Sequence, residues 1–176
     1  MIGSWQTQWS MTIDFGRNDG KSAIEQRLCT LPIFAEMSSA GLSDILKFSK
    51  VATFTSGQPI FRSGDSPRAL YVLLDGRIEW TAIAKKGSHE FMGFIDPVEI
   101  LVLESAFSRK PYVAGARAHD DARVLEIPLN VLQSRLRADP NFASALLIRL
   151  AERTDRLMEE SAALAAALER FVQSER

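Results

Sequence analysis

The stretch VATFTSGQPIFRSGDSPRALYVLLDGRIEW, residues 51–80, decides how this chain folds. Its short apolar runs are Val51–Thr55, Pro59–Arg62, Ala69–Leu74 and the run that opens at Arg77. Ser56-Gly57, Ser63-Gly64-Asp65 and Asp75-Gly76 separate them. Runs this short, rich in β-branched and aromatic residues and cut by glycine turns, predict the strands of a small barrel or jelly roll. Asp75-Gly76, between Leu73-Leu74 and Ile78, predicts a tight hairpin, because such turns need a positive φ that glycine adopts freely.

Downstream the texture continues through Arg77–Ala84, His89–Ile95, Tyr112–Ala118 and Arg123–Ile127, so the β region is expected to cover 51–128. Upstream, residues 21–50 read as helical. Ile24, Leu28 and Leu31 form a short apolar stripe that Pro32 interrupts. Ile33, Phe34 and Met37 follow, and Ser38-Ser39 suits an N-cap. The next helix then buries Leu42, Ile45, Leu46 and Phe48 on one face. Residues 21–128 thus form one unit, behind a polar lead-in, 1–20, that carries Trp5 and Trp9 and is expected to be loosely ordered.

A third region, 129–176, is helical. Asp139-Pro140-Asn141 marks a break with Pro140 at a helix start, and no glycine or proline follows. Leu147, Leu150, Thr154, Leu157, Ser161, Leu164, Leu168 and Phe171 recur at alternating spacings of three and four, a heptad seam. A helix of some 35 residues extends about 50 Å, further than a small barrel can cover. The overhanging seam predicts a homodimer through this helix.

Composition narrows the function. The chain has 176 residues, 46% hydrophobic and 24% charged, with a net charge of -1 and no basic stripe for nucleic acid. Arginines and acidic residues after Val131 balance, so no nucleic-acid contact is expected from this chain. The single cysteine, Cys29, reads as a small buried apolar residue. No apolar run is long enough to span a bilayer and the N-terminus lacks a signal-peptide pattern, so a cytoplasmic protein is expected. His89 and His119 are not at metal-ligand spacing, and no nucleophile has a paired base. The expectation is a protein that is not an enzyme and holds no metal.

The order of pieces resembles the cyclic-nucleotide-binding domain of the catabolite-activator/FNR (Crp/Fnr) regulator superfamily, from about Leu28 to Glu160. Phe34, Gly57-Gln58, Phe61, Gly64-Asp65, the run Tyr71-Val72-Leu73-Leu74, Gly76 and RVLEIP at Arg123–Pro128 carry the resemblance. It implies a mainly β fold with flanking helices: an eight-stranded jelly roll (double-stranded β-helix) followed by a long dimerisation helix. It also implies a phosphate cassette within residues 97–118, begun by a Gly-Glu pair and closed by an arginine. One register sets Leu103-Glu104-Ser105-Ala106 on the Gly-Glu start and Tyr112 on the arginine, with Ala114 and Gly115 completing the cassette's end. A second sets Val98-Glu99 on the start and Arg109 on the cation. Each loses at least one element of the phosphate site, though Arg109, Lys110 or Arg117 could supply a cation. The implied function is a dimeric sensor or regulatory module with a degenerate cassette, acting through an unknown protein partner. It implies no definite cofactor and leaves room for a cyclic nucleotide or another small anionic ligand. Two alternatives stand beside it: a transcription regulator of the same superfamily without its DNA-binding half, or a purely structural dimerisation domain with Leu103 and Tyr112 filling the cavity.

Overall fold

The computed structural model describes residues 20–83 and 89–174. The lead-in 1–19 and the side chains of His89, Leu168 and Phe171 lie outside the described residues. Three helices come first: α1 (Lys21–Cys29), α2 (Pro32–Ala35) and α3 (Ser39–Phe48). Ser38 caps α3, its hydroxyl accepting the Gly41 N–H. The face of α3 that turns inward is Leu42, Ile45 and Leu46; Phe48, expected with them, stands 65% exposed at the helix end. Cys29 is also exposed, contrary to the sequence reading. The stripe that α1 buries is Ile24 and Leu28, and Cys29 lies about 100° around the helix from Leu28.

Eight strands follow, in two antiparallel sheets of four. They are β1 (Lys50–Phe54), β2 (Pro59–Phe61), β3 (Ala69–Asp75), β4 (Ile78–Ile83), β5 (His89–Ile95), β6 (Glu99–Leu101), β7 (Gly115–Ala118) and β8 (Ala122–Pro128). One sheet runs β1-β8-β3-β6 and the other β2-β7-β4-β5. This is the jelly-roll arrangement that the glycine-punctuated runs implied. The Asp75-Gly76 turn, however, does not close a hairpin. β3 pairs with β6 and β8, while β4 pairs with β5 and β7, so the turn is a corner at which the chain changes sheet. The positive φ of Gly76 was legible; the pairing partner was not, because distant strands decide it.

The central strand β3 of the first sheet is buried on both faces, which explains why Tyr71–Leu74 reads as a continuous apolar run rather than an alternation. Leu70, Val72 and Leu74 of β3, with Leu125 and Ile127 of β8, pack outward against α1, α2 and α3. Leu73 and Val124 point into the barrel, with Tyr71 against the same inner cluster. Between β6 and β7 lies α4 (Leu103–Ser108). After β8 come α5 (Leu129–Ala138) and α6 (Pro140–Ser174). The root of α6 is anchored: Asp139 Oδ1 accepts the Phe142 N–H, and the Phe142 ring stacks on Phe34 at 5.9 Å. Every described side chain from Ala151 to Arg170 is exposed, although Arg153, Arg156 and Glu160 still face the barrel.

Candidate functional site

The segment from β6 to β7 is built by two left-handed residues. Val102, with φ 51, precedes α4, and Arg109, with φ 56, ends it. A β-branched residue in this region is strained by roughly 1–2 kcal/mol. Val102 is also 8% exposed, so buried packing holds it there. A glycine-type backbone therefore sits one residue before Leu103. Leu103 itself is helical and 3% exposed, with its side chain in the core.

The sequence-derived candidates divide into three places. Glu99 and Leu103 line a cavity of about 600 Å³. Glu99 lies on β6, its carboxylate accepting the Ile100 N–H. Glu104 and Arg109 turn instead to the C-terminal helices: Glu104 is ion-paired with Arg153 of α6, and Arg109 donates to the Gln133 Oε1 of α5 at 3.2 Å. Ser105 contributes its carbonyl, which accepts the Arg109 N–H and closes α4. Tyr112, Ala114 and Gly115 are buried in the barrel and do not line the cavity. The Tyr112 ring packs 4.4 Å from Phe61, which also meets Tyr71 at 5.4 Å and Trp80 at 5.9 Å. Burial first, then the neighbouring phenol, pushes Tyr71 well above its ordinary value. Burial pushes Tyr112 up to about 12. Arg117 faces outward on β7 and clasps Glu79 of β4 with two hydrogen bonds, at 3.0 and 2.7 Å, which holds the Glu79 carboxyl below the usual carboxylate range.

The cavity lies between the barrel and α6. Leu31, Pro32 and Ile33 come from the helical side, Trp80, Met92 and Phe94 from β4 and β5, and Leu101, Val102 and Leu103 from the cassette. Arg149, Arg153, Arg156 and Glu160 of α6 form its charged wall. Summing charges along residues 131–176 hid these arginines. Their spacing of four and three puts them on one helix face, a signal that placing charges by helical period would have found. Among the described residues no cluster of histidine, cysteine or carboxylate side chains could hold a metal ion. No described helix is long and apolar enough to cross a membrane.

Comparison with known proteins follows the same lines. Residues 51–139 match the cyclic nucleotide-binding domain family. The regulatory protein HlyX of Actinobacillus pleuropneumoniae is 26% identical over 106 residues, covering 60% of this chain and 43% of that protein. The CRP-like cAMP-activated global transcriptional regulator of Mycobacterium tuberculosis is 21% identical over 133 residues, 76% of this chain and 59% of that protein. The chain thus spans about half the length of these relatives. Among solved structures, the sensor domain of the transcriptional regulator DNR from Pseudomonas aeruginosa superposes with a TM-score of 0.71 at 22% identity, over 80% of this chain and 94% of that one. The Thermus thermophilus catabolite activator protein superposes at 0.67 and 23%, over 76% and 63%. At such identities the structures speak for the fold alone, and the jelly roll with its long C-terminal helix is theirs too. By its match over residues 51–139, the chain belongs to the cyclic nucleotide-binding domain family.

Proposed function

We propose that the chain is a dimeric sensor and regulatory module of the Crp/Fnr type whose cassette has lost its site for a cyclic phosphate. The observation that carries this reading is the start of α4. A strained Val102 and a buried Leu103 stand where an anion would need open backbone amides and a polar side chain. Arg109 and Glu104, the groups best suited to a ribose phosphate, are engaged with Gln133 and Arg153. The module binds and signals rather than catalyses, and it works in the cytoplasm with a protein partner. Its dimer forms through α6. Leu147, Leu157 and Leu164 are 70, 53 and 64% exposed there, while Leu150 packs against the protein's own core.

A second reading, in which the module serves a transcription regulator alongside a DNA-binding half, draws on the printed roles of the relatives. A purely structural role is less well supported, because a cavity stays open beside Leu103 and Tyr112 does not line it. Thermal unfolding with saturating cyclic AMP, cyclic GMP or cyclic di-GMP tests the reading. A ligand at a hundred times its Kd adds about 2.7 kcal/mol, or about 2–4 °C in Tm for a chain of this size. No shift is expected with any of the three; a clear rise with one would restore the phosphate site.

A further inference from the structure

Where β2 ends and β7 begins, two loop segments, residues 62–68 and 109–113, are braced against each other. The Gly64 N–H donates to the Tyr112 carbonyl at 2.7 Å and the Tyr112 N–H to the Asp65 carbonyl at 3.0 Å. The Ser63 hydroxyl donates to the Val113 carbonyl at 3.2 Å. The Tyr112 side chain is buried in the barrel, so the backbone is pinned from below as well as from the side. Val113, the next residue, is 88% exposed, more than any other large apolar side chain among the described residues. The same two segments carry Arg62, Arg68, Arg109 and Lys110, all exposed. The Arg68 carbonyl accepts the Leu129 N–H at 3.2 Å, and Arg109 donates to Gln133, one turn further along α5, so both lie against one side of that helix. The single carboxylate of the two segments, Asp65, is taken up by the Arg62 N–H at 2.9 Å. Among the described residues Arg62, Arg68 and Lys110 make no ion pair. Four cations and one carboxylate give these segments a net of +3 in a chain whose total is -1, which leaves -4 on the rest. Arg62, Arg68, Lys110 and Val113 take no part in the cavity beside α6.

Resting on the reading of a module that acts through a protein partner, we propose that this surface docks an acidic segment of that partner. An apolar side chain of the segment seats on Val113, and its carboxylates meet Arg62, Arg68 and Lys110. The charge pattern sets the chemistry. With the negative remainder elsewhere, an acidic partner is steered toward the one positive surface. A braced backbone loses little freedom on binding, so weak individual contacts add up to a usable affinity. Val113 selects a peptide over a nucleic acid. A phosphate backbone supplies charge but no apolar side chain to cover an exposed valine, whereas an acidic peptide with an apolar residue supplies both.

Fluorescence anisotropy of the full chain with a labelled peptide of about a dozen residues, glutamates around two leucines, tests this. Binding should saturate and weaken about threefold or more between about 50 and about 200 mM salt. Arg62→Glu, Arg68→Glu and Lys110→Glu should each weaken it about three- to tenfold, because an attraction becomes a repulsion. Val113→Ser should weaken it about threefold, and a peptide with serines for its leucines should bind about threefold more weakly and be indifferent to Val113→Ser. Arg170→Glu, the same change of charge on the exposed distal part of α6, should leave the affinity within about 1.5-fold. All the substituted side chains are exposed, so the variants keep the fold. No saturable binding, or an equal loss in Arg170→Glu, overturns the docking surface. Equal binding of the leucine and serine peptides overturns the contact with Val113. Tighter binding of a thymidine oligonucleotide of the same length overturns the peptide in favour of a nucleic acid. Cyclic AMP titrated in parallel separates the two readings: its binding overturns the lost phosphate site, whereas failure of the peptide alone overturns only the docking surface.

Discussion

Two glycines with the same backbone angle do different work. Gly57 and Gly76 both have φ +80. A Cβ on Gly57 would meet nothing within 4 Å, whereas one on Gly76 would lie 2.3 Å from the Asp121 carbonyl oxygen and 2.7 Å from the Ala122 Cα. Those are backbone atoms, and β8 would have to move. Gly57→Ala should cost about 1 kcal/mol from conformation alone, and Gly76→Ala about 3 kcal/mol or more. Urea unfolding of the pair checks this, and equal losses would show that the corner is loose. Val102 sets the opposite case, a side chain where glycine belongs. Val102→Gly loses buried methyl groups but relieves a strain of roughly 1–2 kcal/mol, so its net cost should be about 1 kcal/mol. Val124→Gly, at a fully buried position of extended β8, should cost at least about 3 kcal/mol. The sequence does not betray Val102, because the residues that announce a left-handed turn are glycine and asparagine. Hence the cassette's start was sought at Leu103 or Val98, while the unusual backbone lies at Val102.

Elements were legible in proportion to their length and repetition. The seven runs and the long helix could be read because glycine turns and heptad spacing repeat. β6, three residues, and α4, six residues, are too short to show a period, and they are the elements that carry the candidate site. The Asp75-Gly76 corner was misjudged as a hairpin for a related reason: a turn announces a change of direction, not the sheet that receives the next strand. α6 raises the sharpest question at this scale. From Ala151 to Arg170 its described side chains are exposed, and a helix with so little burial over that length is marginal in water. On the dimeric reading proposed above, a partner helix on the Leu157 and Leu164 side stabilises this length. Leu157→Asp with Leu164→Asp should therefore yield a monomer by light scattering and lower the ellipticity at 222 nm as the distal turns fray. A dimer of unchanged mass would place the interface elsewhere.

The whole molecule is held by two cores that share the first sheet. One lies between that sheet and the helices, with Phe34 and Phe142 stacked at the root of α6. The other fills the barrel and contains both tyrosines of the chain, Tyr71 and Tyr112. Their placement makes stability depend on alkaline pH with a definite sign. Burial favours the neutral phenol, so both groups titrate above their ordinary value of 10.0 in the folded state, Tyr112 at about 12 and Tyr71 higher. In the unfolded chain both lose their protons near 10, so over that range the folded state binds more protons. The tyrosine contribution is fully present below pH 10 and shrinks as the pH rises toward the folded values. Two readouts follow. The tyrosinate absorbance at 295 nm should stay flat through pH 10 and rise only with unfolding. The urea midpoint should fall between pH 9.5 and 11.5, and in Tyr71→Phe with Tyr112→Phe that tyrosine-linked part of the fall should vanish. A tyrosinate signal near pH 10 in the folded protein would mean that water reaches the barrel interior. The aromatic filling inferred for it would then have to be replaced by an open channel leading to the cassette.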